Sequence, residues 1–198
     1  MNPSKAPGKD GLSAMFYQKF RDTIGTSVTA ACLEILNGGR SVEDINSTVI
    51  TLIPKTQNPV SMTDYRPISL CNVVYKIIAK VITNRLKGVM GKVISENQCA
   101  FIPGRLIFDN TIVGFECLHR LKINWRKKGS MAIKIDIAKA YDRVEWNFIE
   151  KMMLRMGFST KWVKLVMNCV SKVSYSFMLN GEICGNIKPS RGLRQGDP

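Results

Sequence analysis

The chain has 198 residues, with 29 lysines and arginines against 15 aspartates and glutamates, giving a formal net charge of +14; 45% of it is hydrophobic. This is the composition of a folded domain that can bury a core, not of a disordered tract, and the basic excess points to polyanions. Two lysines, Lys76 and Lys80, break the apolar stretch from Val73 to Ile82, which excludes a membrane span. No apolar segment follows Met1-Asn2-Pro3-Ser4-Lys5, so no signal peptide is visible and an intracellular setting is expected.

Lys5-Ala6-Pro7-Gly8-Lys9-Asp10-Gly11 reads as a turn-rich entry. Ser13 is placed to cap a short helix holding Met15, Phe16 and Phe20, and a second helix is expected over 27–37, ended by Gly38-Gly39. Residues 48–53 are β-branched and alternating up to Pro54, hence a strand, and 66–70 resume an extended chain after a polar loop, which predicts a hairpin. Val73, Ile77, Val81 and Leu86 recur at helical spacing and predict a long helix over 72–90. Asp109 caps an expected helix to Trp125, closed by Arg126-Lys127-Lys128-Gly129. Met131-Ala132-Ile133-Lys134-Ile135-Asp136-Ile137 alternates and predicts a second strand. Two helices are expected over 146–156 and 161–170, the latter capped by Ser159. Asn180-Gly181 between two apolar runs is a strong hairpin signal. The class is α+β.

Six scattered cysteines with no Cys-x-x-Cys pair argue against a zinc module or a disulfide framework and for free thiols in a reducing compartment. His119, the only histidine, falls on an amphipathic helix and reads as structural. Carboxylates and cations therefore carry whatever chemistry the chain has.

In the strand reading, Ile133, Ile135 and Ile137 share one face, and Lys134 and Asp136 the other. Taken alone, Asp136 reads first as the cap of the next turn and second as a carboxylate ligand for Mg²⁺. Asp142 reads as a local cap or as a partner of Arg143 or Lys139. Lys55 and Arg66 flank the first hairpin's loop, where together they suit a triphosphate. Each signal is modest by itself; exposed cations are common on any surface.

In order, however, six segments resemble the reverse transcriptase domain of non-LTR (LINE-type) retrotransposons, the plant kind in particular. They are the 5–11 turn, Ile50-Thr51-Leu52-Ile53-Pro54-Lys55, Asp64-Tyr65-Arg66-Pro67-Ile68-Ser69-Leu70, Asn97-Gln98-Cys99-Ala100-Phe101-Ile102-Pro103-Gly104-Arg105, Lys134-Ile135-Asp136-Ile137-Ala138-Lys139-Ala140-Tyr141-Asp142, and Gly192-Leu193-Arg194-Gln195-Gly196-Asp197-Pro198. Lys9, where the family usually has proline, is a small departure. A group II intron maturase shares the polymerase core, but the wording around Pro67 and Pro103 favours the retrotransposon.

The resemblance implies the fingers and partial palm of a right-hand polymerase, with fingers over about 1–130 and the start of the palm over 131–198. It implies that Asp136 binds metal with the carbonyl of Ile137, in a two-ion Mg²⁺ site. Lys55 and Arg66 would hold the incoming triphosphate, and Tyr141 would exclude a ribose 2′-OH. Gln195 would lie near the nucleotide and template base, and Arg105 would serve the fingers' conformation or the template side. The implied partners are an RNA template, a DNA primer and deoxynucleoside triphosphates, with no membrane, in the nucleus. The family's second metal motif, an aromatic and one residue before two aspartates, does not occur in these 198 residues. The expectation is a polymerase fragment inactive alone, with a non-catalytic nucleic-acid-binding remnant as the alternative.

Overall fold

The β-branched run at the first hairpin becomes the spine of a four-stranded sheet. In a computed structural model of the chain, which describes residues 1–123 and 129–195, β1 (Ser47–Pro54) pairs antiparallel with β2 (Tyr65–Cys71) through Thr48↔Cys71 to Pro54↔Tyr65. Its other edge pairs in parallel with β3 (Ser174–Leu179), and β3 pairs antiparallel with β4 (Glu182–Ile187), giving the order β2-β1-β3-β4. Both predicted hairpins form. In the second, Asn180 and Gly181 have φ of 51° and 87°, the two positive values that a type I′ turn needs.

The helices are α1 (Ala14–Lys19), α2 (Arg21–Leu36), α3 (Val73–Val93), α4 (Ile107–Ile123), α5 (Ala140–Arg143), α6 (Trp146–Arg155) and α7 (Thr160–Ser171). Ser159 caps α7 by accepting from the Trp162 N–H, whereas Ser13 makes no such bond at α1. The second helix starts six residues before the expected position. On α3 Val73 is buried as expected, but the inward stripe then runs through Tyr75, Ile78, Ala79 and Ile82, while the expected Ile77, Val81 and Leu86 are only partly buried. That set also follows the i, i+3, i+4, i+7 rule, and the tyrosine fixes which stripe turns inward. The expected helix end at Trp125, the run Arg126-Lys127-Lys128 and residues 196–198 lie outside the described residues.

Contacts divide the chain into two units, Met1–Ile82 with Lys139–Pro198, and Thr83–Ala138. The first holds the sheet and a core in which Cys32, Ile35 and Val42 meet Cys71, Tyr75, Ile78, Ile82 and Cys169. The second buries Cys99 and Ile102, while α4 buries nothing. Six free thiols are present, four of them buried. No described helix is long and apolar enough to cross a membrane.

The predicted strand over 131–137 does not form. Met131, Ile133, Ile135 and Ile137 all stay exposed, Ile135 at 83%. A strand exists only as part of a ladder, and all four described strands belong to the other unit. Alternation alone gives residues 131–137 nothing to pair with.

Candidate nucleotide site

Lys55 and Arg66 come together through strand register. Arg66 sits opposite Ile53, and cross-strand partners share a face, so Lys55, two residues beyond Ile53, continues that face diagonally from Arg66. The loop between them is well tied. The Lys55 N–H donates to the Asp64 carbonyl at 2.7 Å, and its ammonium donates to the Thr63 carbonyl at 2.8 Å. The Asp64 carboxylate accepts from the Ser61 N–H at 2.8 Å and the Val60 N–H at 2.9 Å, closing a capping box.

The Ser61 and Val60 amides hold the Asp64 carboxyl below its ordinary value of 3.8, with smaller help from the Ser61 hydroxyl and Lys55. A depressed folded value means that the loop gains from the carboxylate at pH above 3.8 and loses that gain as pH falls through the lower folded value. The Ser61 and Val60 amide NMR shifts should therefore stay constant down to about pH 4 and move together below it. In Asp64→Asn that acid transition should vanish; an unchanged transition would show that another group controls the loop.

A second assembly joins the turn holding Tyr141 to the loop holding Gln195. Lys139 adopts φ 54°, a left-handed conformation uncommon for a side-chain-bearing residue, and turns the chain into α5. Three bonds then fasten the two segments: Leu193 N–H to the Tyr141 carbonyl at 2.8 Å, Gly192 N–H to the Val144 carbonyl at 2.8 Å, and the Trp146 indole N–H to the Gly192 carbonyl at 2.8 Å. Gly192 is required twice over. Its φ is +90°, and a Cβ there would lie 3.1 Å from the Asp142 carbonyl oxygen and 3.3 Å from that of Tyr141. Tyr141 itself is 47% exposed. The expected pairing of Asp142 with Arg143 or Lys139 is absent; the ion pairs among the described residues are Arg40–Asp44 and Lys188–Glu43.

Arg194 anchors this assembly, and sequence reasoning missed it. Its guanidinium is buried, donating to Asn46 Oδ1 at 2.6 Å and Thr48 Oγ1 at 2.9 Å, and it lies 4.0 Å from the centre of the Tyr75 ring. Asn46 and Thr48 are both 0% exposed. The Asn46 amide donates to the carbonyls of Cys169 at 2.9 Å and Lys172 at 2.7 Å, so it has oxygen left for the arginine. Thr48 alternates with Val49, Thr51 and Ile53 along β1, which puts Arg194 and the Lys55–Arg66 pair on opposite faces of the sheet. In a loop otherwise rich in glycine, the only advance signal was the pair of polar residues, Asn46 and Thr48, beside an apolar strand.

Asp136, Ile137 and Arg105 belong to the other unit. The Arg105 guanidinium donates to the carbonyls of Ser95 at 2.5 Å, Gln98 at 2.7 Å and Ile94 at 3.3 Å, closing the chain just past the end of α3. Asp136 is exposed on the non-strand segment, so the rigid support expected for it is missing. Among the described residues no three His, Cys, Asp or Glu side chains gather as a metal cage. One exposed carboxylate and a neighbouring carbonyl do not make a holding site for Mg²⁺.

Residues 53–198 match the family model for reverse transcriptase (RNA-dependent DNA polymerase). The chain is 32% identical over 199 aligned residues to the Transposon TX1 uncharacterized 149 kDa protein of Xenopus laevis, covering 100% of this chain and 15% of that protein. It is 26% identical to the Retrovirus-related Pol polyprotein from type-2 retrotransposable element R2DM of Drosophila melanogaster (98% and 18% covered). It is 22% identical to the Retrovirus-related Pol polyprotein from type-1 retrotransposable element R2 of Popillia japonica (98% and 26%). The chain belongs to the reverse transcriptase (RNA-dependent DNA polymerase) family, and with these relatives its domain is of the non-LTR retrotransposon kind. It spans about a quarter or less of their lengths.

Proposed function

We propose that the chain is the nucleotide- and template-holding part of an RNA-directed DNA polymerase, from about residue 1 to 130 the fingers and from 131 the start of the palm. The observation that carries this reading is the fastening of the Tyr141 turn to the Gln195 loop by three hydrogen bonds around Gly192. A sugar-excluding ring and a base-side amide are useful only when their spacing is fixed.

Lys55 and Arg66 grip the triphosphate, Arg as a fork and Lys as a point charge. Tyr141 bars a 2′-hydroxyl by occupying its space. Gln195 meets the base, and Arg105 holds the fingers segment in shape. Asp136 with the Ile137 carbonyl contributes to a metal site that these residues alone do not complete. The partners are an RNA template, a DNA primer and deoxynucleoside triphosphates, in a nuclear setting.

Given one exposed carboxylate, the 198-residue chain should bind a template–primer in a salt-dependent way and yield no extended primer with Mg²⁺ and deoxynucleotides. Templated extension by this chain would overturn that statement. The same +14 charge and sparse carboxylates favour a second reading, a non-catalytic nucleic-acid-binding remnant. Asp136→Ala separates the two in a longer chain that carries a full carboxylate set: extension disappears while template binding stays, or else the substitution changes nothing.

A further inference from the structure

A cavity of about 380 Å³ opens between the end of α2 and the side of α7, inside the first unit. Lys161, Lys164, Asn168 and Lys172 line it from the α7 side, and Arg40 and Ser41 from the other. The α7 residues are spaced i, i+3, i+7 and i+11, so they form one stripe along the helix and past its end, about 16 Å long at 1.5 Å per residue. Among the described residues no carboxylate lines the cavity. Of the acidic residues nearby, Asp44 pairs with Arg40 of the cavity wall at 3.5 Å, Glu43 pairs with Lys188 at 3.3 Å, and the Glu34 side chain lies beside Gly39 of the wall; α7 itself carries no carboxylate. Among the described residues, none of the three lysines forms an ion pair.

The helix dipole favours Lys172 at the C-cap but does not account for the start of the stripe. Lys161 lies in the first turn of α7, which holds no acidic residue, and a cation there works against the helix dipole. Three uncompensated ammoniums around one concavity raise the local potential and favour an extended anion over scattered counter-ions.

We infer that this cavity and its lysine stripe bind the phosphodiester backbone of a nucleic-acid strand, as a site separate from the Lys55–Arg66 pair. Phosphates recur about every 3.4 Å along one strand of a duplex axis, so the stripe is long enough to meet several of them. The cavity and the Lys55–Arg66 pair lie at opposite ends of β1, whereas the Arg194 anchor of the Gln195 loop reaches Cys169 of the cavity wall, and Asn46 joins it to Lys172. Val42, in the cavity wall, precedes the strand, and Lys55 follows its eight residues, about 26 Å at 3.3 Å per residue. Backbone contacts of this kind fix register and direction and carry no sequence preference.

The test is fluorescence anisotropy of a labelled RNA oligonucleotide on the 198-residue chain, over a range of salt. The triple variant Lys161→Gln, Lys164→Gln, Lys172→Gln should weaken binding about tenfold or more and reduce the slope of log K against log salt by about 2, three contacts at about 0.7 each. The corresponding Lys→Arg triple should retain binding. A charge-matched control, Lys19→Gln, Lys151→Gln, Arg155→Gln, removes three exposed cations of the same unit outside the cavity and should leave the slope within about 0.5. An equal loss in the control would overturn the site in favour of diffuse charge. Displacement of the RNA by low-millimolar inorganic phosphate would reassign the cavity to free phosphate. Lys55→Ala with Arg66→Ala, assayed for nucleotide binding, fails or succeeds independently, so the polymerase reading and the cavity can fall separately.

Discussion

Arg194→Met should lower the free energy of unfolding by about 3 kcal/mol, read as a shift of the urea midpoint at unchanged slope. The substitution keeps much of the side-chain volume but removes the donors to Asn46 Oδ1 and Thr48 Oγ1, both fully buried. Each orphaned buried acceptor costs about 1–3 kcal/mol, and the stacking on Tyr75 adds to this. Relief from burying the guanidinium offsets part of the loss, since replacing buried charge by apolar volume is often mild. Arg194→Lys keeps the charge without the planar fork and should recover less than half. A loss below about 0.5 kcal/mol for the methionine variant would show that the buried acceptors find other donors. Because Gln195 follows directly, the loop should also loosen from Tyr141, visible as faster exchange of the Leu193 amide hydrogen.

Lys55→Ala combined with Arg66→Ala should weaken binding of a deoxynucleoside triphosphate by about a hundredfold, with the fold unchanged by circular dichroism. Hydrogen bonds to charged groups contribute about 1.5–3 kcal/mol each. Both side chains are exposed, so about 3 kcal/mol for the pair is the reasonable figure, and 1.4 kcal/mol is tenfold. Arg66→Ala should cost more than Lys55→Ala, because the Lys55 ammonium already serves the Thr63 carbonyl. Equal binding by the double variant and the parent, in isothermal titration, would remove these residues from the site.

What could be read in the sequence was what is local. Asn180-Gly181 dictated its own turn, and Ser159 its own cap, because both act within four residues. The start of α2 was missed because Phe20 precedes it and offers no capping side chain. The parallel pairing of β1 with β3 was invisible, since residues 47–50 and 174–177 carry no mark of each other. The 131–137 segment shows the limit of periodicity: its pattern is that of a strand, but a pattern supplies no partner. For the candidate site, Lys55 and Arg66 stood out by their charge at the open end of the first hairpin, while the roles proposed for Tyr141 and Gln195 rest on resemblance alone. Arg194 was overlooked because arginine is exposed by default, and only the folded chain brings two buried oxygens to it.

The parallel junction also sets an order of events during synthesis. Asn46 and Thr48 leave the ribosome 148 and 146 residues before Arg194. At about 5–20 residues per second, that gap lasts roughly 7–30 s. Throughout it, the nascent β1–β2 hairpin has an open edge and two polar groups with no arginine to meet them. High contact order of this kind slows folding, and an unpaired edge invites pairing with other chains. Production of this chain should therefore be sensitive to translation speed and to chaperones that shield open strands.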